Sequence, residues 1–169
     1  PYTLTKNEEE IMISADEVSL TMLALDDLAV PAAELTASMP NPMREVTAQA
    51  LEEAVGVAFT SPEGAEDVTY FLYEYGTTKM AEMNFTMDGN AYSFRVEAAD
   101  TFADLSGMYV DFATEEGAKV GENDASIKLN EGAEGICIWH DAAAGLNYSL
   151  TMMDGASVDA LTSMANSLL

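Results

Sequence analysis

From residue 67 onward, apolar residues recur at every second position, the period of a strand with one buried face. Tyr92, Phe94, Val96 and Ala98 fall on one side of a segment whose other side carries Ser93, Arg95 and Glu97. The same alternation runs through Ala81, Met83, Phe85 and Met87, then Met108, Val110 and Phe112, then Ala125, Ile127 and Leu129. It continues in Ile136 and Ile138 and in Leu146, Tyr148, Leu150 and Met152. Asp67 to Tyr75 differs, because Val68, Tyr70 and Leu72 oppose Phe71, Tyr73 and Tyr75. That pattern predicts a central strand, or one covered on both faces.

Short links join these segments. Asp88-Gly89 predicts a two-residue hairpin, since a type I′ turn needs positive φ at both central positions. Glu131 to Gly135 and Asp141 to Gly145 are glycine-containing links of hairpin length. Links this short join antiparallel neighbours, because a parallel pair needs a crossover of a dozen or more residues. Ala99 to Gly107 is the one longer interruption and reads as a loop or a helical turn.

Helical spacing appears at both ends. Ser157 is an N-cap with Asp159 in the first turn, ahead of a stripe of Val158, Leu161, Met164, Ala165 and Leu168. Val46 to Val55 repeats apolar residues at helical spacing, and Pro40-Asn41-Pro42 breaks the chain before it. Ser14-Ala15-Asp16-Glu17 reads as a capping box ahead of a helix over Val18 to Leu28, with a strand over 18 to 22 as the alternative. Pro31 to Met39 reads as a further short helix. The expectation is an α+β fold: an antiparallel meander of about six or seven strands with helices from both ends packed on one face. Residues 1–40 form a helical or extended appendage, and residues 41–169 the α+β domain.

Composition narrows the partners. The 169 residues include 30 Asp plus Glu against 6 Lys plus Arg, a formal charge of −24. DNA, RNA and anionic membrane surfaces are poor partners, since each needs a basic patch that six cations cannot easily build. The acidity reads first as a solvated surface. Calcium binding and adaptation to salt are alternatives, but no segment has the alternating oxygen ligands of a calcium loop. No stretch approaches the roughly 18 apolar residues of a membrane span. One cysteine, Cys137, forbids an intrachain disulfide and a multi-cysteine zinc site. The chain opens at Pro1 with no apolar signal segment, so a removed leader is expected.

Residues 41–169 resemble a known family in the succession of their motifs. Asn41-Pro42-Met43 precedes a helix with Leu51-Glu52-Glu53-Ala54, Phe94-Arg95 ends a strand, and Asp104-Leu105-Ser106-Gly107 follows. A Val120-Gly121 turn, Ile136-Cys137-Ile138-Trp139 followed by Asp141, and Asn147-Tyr148-Ser149-Leu150 complete the series. In these features the chain is similar to domains of unknown function from predicted secreted lipoproteins of Gram-positive, often gut-dwelling, bacteria. There the domain also occurs fused to anti-sigma-factor-like proteins. The chain departs from that pattern at Ala142-Ala143-Ala144-Gly145 and in its shortage of lysine. The resemblance implies a curved sheet backed by helices, like lipoprotein-carrier or photosystem-accessory-protein folds. It also implies an extracytoplasmic, cell-surface location through a lipid anchor upstream of Pro1, and no established catalytic activity.

Candidate chemistry is sparse. Cys137 and His140 have C-x-x-H spacing, but strand positions three apart face opposite ways, and two ligands do not close a metal site. By parity His140 joins Ile136 and Ile138 on the core side. No G-x-S-x-G elbow, P-loop or dinucleotide fingerprint occurs. No catalytic residue, metal or cofactor is expected. The polar face of the sheet collects Glu82, Arg95, Glu97, Tyr109, Asp111, Lys128, Cys137 and Trp139 by parity. Arg95, Tyr109, Lys128 and Trp139 would there form a ligand-binding site for a carboxylate, phosphate or peptide. Ordinary cross-strand ion pairing of Arg95 and Lys128 is the competing reading, and the methionines of the apolar parity read as core filler.

The expected function is a non-enzymatic extracytoplasmic binding or sensory module for a peptide, protein or small ligand. The alternative is a lipid or lipoprotein carrier, which needs an apolar cavity between sheet and helices. A carboxylate-based enzyme comes third and needs acids converging in a pocket.

Overall fold

The alternating segments form strands in a computed structural model that describes residues 2–6, 9–13 and 41–169. The helices expected over Val18 to Leu28 and Pro31 to Met39, with their capping box, lie outside the described residues. The chain divides into two units, Pro1–Pro40 and Asn41–Leu169. In the first, β1 (Tyr2–Lys6) pairs antiparallel with β2 (Glu9–Ile13), Leu4 opposite Ile11.

The second unit holds β3 (Met43–Glu45), α1 (Ala48–Val55), β4 (Glu66–Tyr75), β5 (Thr78–Met87) and β6 (Asn90–Ala98). After a long connection come β7 (Thr114–Val120), β8 (Asn123–Leu129), β9 (Gly135–Asp141), β10 (Leu146–Met152) and α2 (Val158–Ser167). The sheet is antiparallel, eight-stranded and curved, in the order β3-β4-β5-β6-β10-β9-β8-β7. The fold is therefore α+β, with more strands than expected. It is also two meanders and not one. The run β3 to β6 and the run β7 to β10 meet where β6 pairs with β10, Phe94 opposite Leu150 and Arg95 opposite Ser149.

Turn chemistry sets the short links. Asp88 and Gly89 have φ of 52° and 80° between the paired Met87 and Asn90, the positive φ values the Asp-Gly hairpin demands. The segment expected as a strand over Met108 to Phe112 is instead irregular. The strand lies just beyond, in β7, whose Glu115, Glu116 and Lys119 suit an exposed sheet edge. β4 sits one place in from the opposite edge, and only the three-residue β3 lies outside it.

Both helices cover the same face. α1 is capped by Thr47, whose hydroxyl accepts from the Ala50 N–H at 3.2 Å, and α2 by Ser157, which accepts from Ala160 at 3.2 Å. Leu51 and Val55 of α1 and Leu161 and Ala165 of α2 close on Leu72, Met83, Phe94, Val96, Ile127, Tyr148 and Leu150. α2 approaches β9 closely, since a Cβ on Gly135 would stand 2.8 Å from the Ala156 Cβ and 3.0 Å from a Leu161 methyl.

Parity misleads in β9. Trp139 is 1% exposed and, with Cys137, belongs to the helix-covered core, while Ile136, Ile138 and His140 take the opposite face. The run Ile136-Cys137-Ile138-Trp139 is apolar at every position, so alternation alone gives no direction. Register with β10 decides: Trp139 lies opposite Tyr148, and the two rings stack at 4.9 Å. Phe94 packs within 6.3 Å of both these rings and 5.8 Å from Phe59, so aromatic side chains fill the layer where a carrier's cavity would lie.

Candidate functional site: a strap across the second sheet face

The β6–β7 connection, residues 99–113, must travel from the middle of the sheet to its far edge, because β10, β9 and β8 intervene. It does so as a strap over the face opposite the helices, held at successive points along its length. At its start, the Ala99 N–H donates to the Gly145 carbonyl, and Asn147 Nδ2 donates to the Thr101 carbonyl at 2.8 Å. Asn147 is fully buried, and its Oδ1 stands 2.9 Å from His140 Nδ1. His140 is thus a structural group orienting the amide that orients the strap.

The middle is held by Arg95. Its Nη1 donates to the Leu105 and Ser106 carbonyls, each at 2.9 Å, and its Nε pairs with Glu82 directly across the β5–β6 ladder. Glu82 also accepts from Asn84 Nδ2 at 2.7 Å and from the Tyr73 hydroxyl at 3.3 Å. Burial and the Glu82 charge raise the Tyr73 pKa, keeping the phenol a donor. Glu97, on the same face, is also raised, by burial. Gly107 lies so close that a Cβ there would stand 2.7 Å from Arg95 Nη1, and its φ of +67° suits glycine. Asp104 Oδ1 accepts from the Ser106 N–H at 2.8 Å, and the Ser106 hydroxyl accepts from Met108 N–H. At its end, Asn130 Oδ1 accepts from the Ala113 N–H at 2.9 Å and its Nδ2 donates to the Asp111 carbonyl.

Between these points the strap turns side chains outward. Tyr109 is 98% exposed, Phe102 55% and Val110 43%. A cleft of about 440 Å³ opens between Met80 and residues 104–109, and a second of about 330 Å³ lies beside Asp67, Glu82, Asn84, Ser93 and Arg95.

The expected site is therefore only partly assembled. Arg95 and Lys128 do share the strap face, but β10 and β9 separate their strands, and Lys128 stands opposite Glu115. Tyr109 is on the strap and not in a strand. Trp139 is behind the sheet and cannot join them. Arg95 is committed to Glu82 and to the strap backbone, in line with the ion-pairing reading. The residues missed from sequence are Asn147 and Asn130, buried or partly buried amides whose strap partners lie 17 to 46 residues away, and Ser106, which is buried and bonded within its own turn. The order Asp104-Leu105-Ser106-Gly107 was the one visible sign of a turn.

Other chemistry is weak here. Burial pushes the Cys137 thiol up to about 12, so it stays protonated and unreactive at neutral pH. Among the described residues, no group of three or more His, Cys, Asp or Glu is placed to hold a metal ion, and no helix is long and apolar enough to cross a membrane. Comparisons with known protein families, curated proteins and solved structures find no match.

Proposed function

We propose that the chain is a non-enzymatic, extracytoplasmic binding module tethered at the cell surface, and that its binding surface is the outward side of the strap. Tyr109 carries this reading. A tyrosine left 98% exposed, on the same connection as the exposed Phe102 and Val110 and three residues beyond the Ser106 carbonyl that Arg95 holds, is an aromatic side chain open to a partner, of the kind enriched at interfaces. The location is the one that the resemblance of residues 41–169 implies. The filled layer between sheet and helices weighs against a carrier, and the protonated Cys137 against thiol catalysis.

The test is selection of peptides from a random displayed library on the full chain, followed by binding to the Phe102→Ser/Tyr109→Ser variant. Loss of binding with an unchanged thermal midpoint supports the reading. Equal binding by parent and variant overturns it.

A further inference from the structure

We infer that the strap's partner is an extended segment in which lysine or arginine alternates with apolar residues. This rests on the strap being the binding surface. Residues 99–113 carry Asp100, Asp104 and Asp111 and no cation, interleaved with Phe102, Met108, Tyr109 and Val110. Four of the five cations of the unit Asn41–Leu169 are held in ion pairs. Arg44 and Lys79 lie on Glu74, Lys119 on Asp124 and Arg95 on Glu82, while Lys128 stands opposite Glu115. A carboxylate partner would find no available positive charge on the strap, and the −24 net charge would repel its approach.

A basic partner meets the opposite conditions. The cleft of about 440 Å³ is lined by Asp104 together with Met80, Leu105, Met108 and Tyr109. A lysine or arginine stem packs on the methionines while its charged end reaches the Asp104 carboxylate, and the Tyr109 ring offers a cation–π face. Apolar residues of the partner, on the alternate positions of an extended segment, cover Phe102 and Val110.

The experiment uses the full chain and three fluorescent peptides of equal length, sharing the same Leu and Phe positions with Lys, Ser or Glu between them. Anisotropy is read at near-physiological salt, where diffuse attraction is screened beyond about 8 Å. The Lys peptide is expected to bind at least about tenfold more tightly than the others. Asp104→Asn/Asp111→Asn, which keeps an acceptor for the Ser106 N–H, should abolish most of that preference. Phe102→Ser/Tyr109→Ser should weaken every peptide. If the Ser or Glu peptide binds as tightly as the Lys peptide and still depends on Phe102 and Tyr109, the basic partner is wrong while the strap surface stands. If the Lys peptide binds both variants as well as the parent, or no peptide binds, both proposals fall.

Discussion

Glu82 is 5% exposed, and a carboxylate so placed is tolerable only because Arg95, Asn84 and Tyr73 all donate to it. Arg95→Met strands that charge and frees the strap carbonyls, so it should cost about 3–5 kcal/mol in urea unfolding. Adding Glu82→Gln to that variant should recover part of the loss, a coupling that a double-mutant cycle measures. Additive costs would mean that the pair does not act as one unit. Cys137 gives a second residue-scale prediction. Its folded pKa lies near 12, above the ordinary value of 9.0, so the folded state holds the proton longer than the unfolded state. Stability is complete below about pH 9 and falls above it by up to about 1.4 kcal/mol per pH unit until the folded thiol ionises. Tyr73, Tyr92 and Tyr148, raised by burial, push the same way at still higher pH. Cys137→Ala should flatten the first part of that alkaline decline, and iodoacetamide should label Cys137 only after unfolding.

At the scale of elements, β9 is the strand whose two faces are hardest to tell apart. It is apolar on both faces because helices cover one and the other turns to the strap side, and this doubling hides its direction from the sequence. Strands β5, β6, β8 and β10 carry polar residues at alternate positions, so their faces are readable from Met83, Phe94, Ile127 and Leu150. Trp139 takes the helix-covered face against the expectation from alternation, because Ile136 and Ile138 are just as apolar. The strap was legible only as an interruption, since the bonds that hold it, from Arg95, Asn130 and Asn147, join positions 10 to 46 residues apart. Its course follows from the β6–β10 pairing, which no local pattern encodes. Close packing of α2 on β9 is likewise invisible until the fold is assembled. There, Gly135→Ala should cost about 1–3 kcal/mol by overpacking against Ala156, Leu129 and Leu161, read as a lower midpoint in thermal unfolding. A neutral substitution would show that α2 is free to move away.

For the whole molecule, the −24 charge sets conditions and the scarce cations set structure. Self-repulsion among thirty acids should make the midpoint of thermal unfolding rise as salt increases from about 0.05 to 0.5 M. A flat dependence would mean that the acids are too dispersed to matter. Arg44, Lys79 and Lys119 join strands to their neighbours, and Arg95 holds the strap that crosses the face opposite the helices. The proposed binding surface is the acidic, aromatic outward side of the strap. The most direct test is a ¹H–¹⁵N titration of the full chain with the Lys–Leu–Phe peptide. Binding on the strap predicts shifts concentrated in residues 100–111 and around Met80, with the core residues about Trp139 unmoved. Shifts spread over the acidic surface, or centred away from the strap, would contradict it.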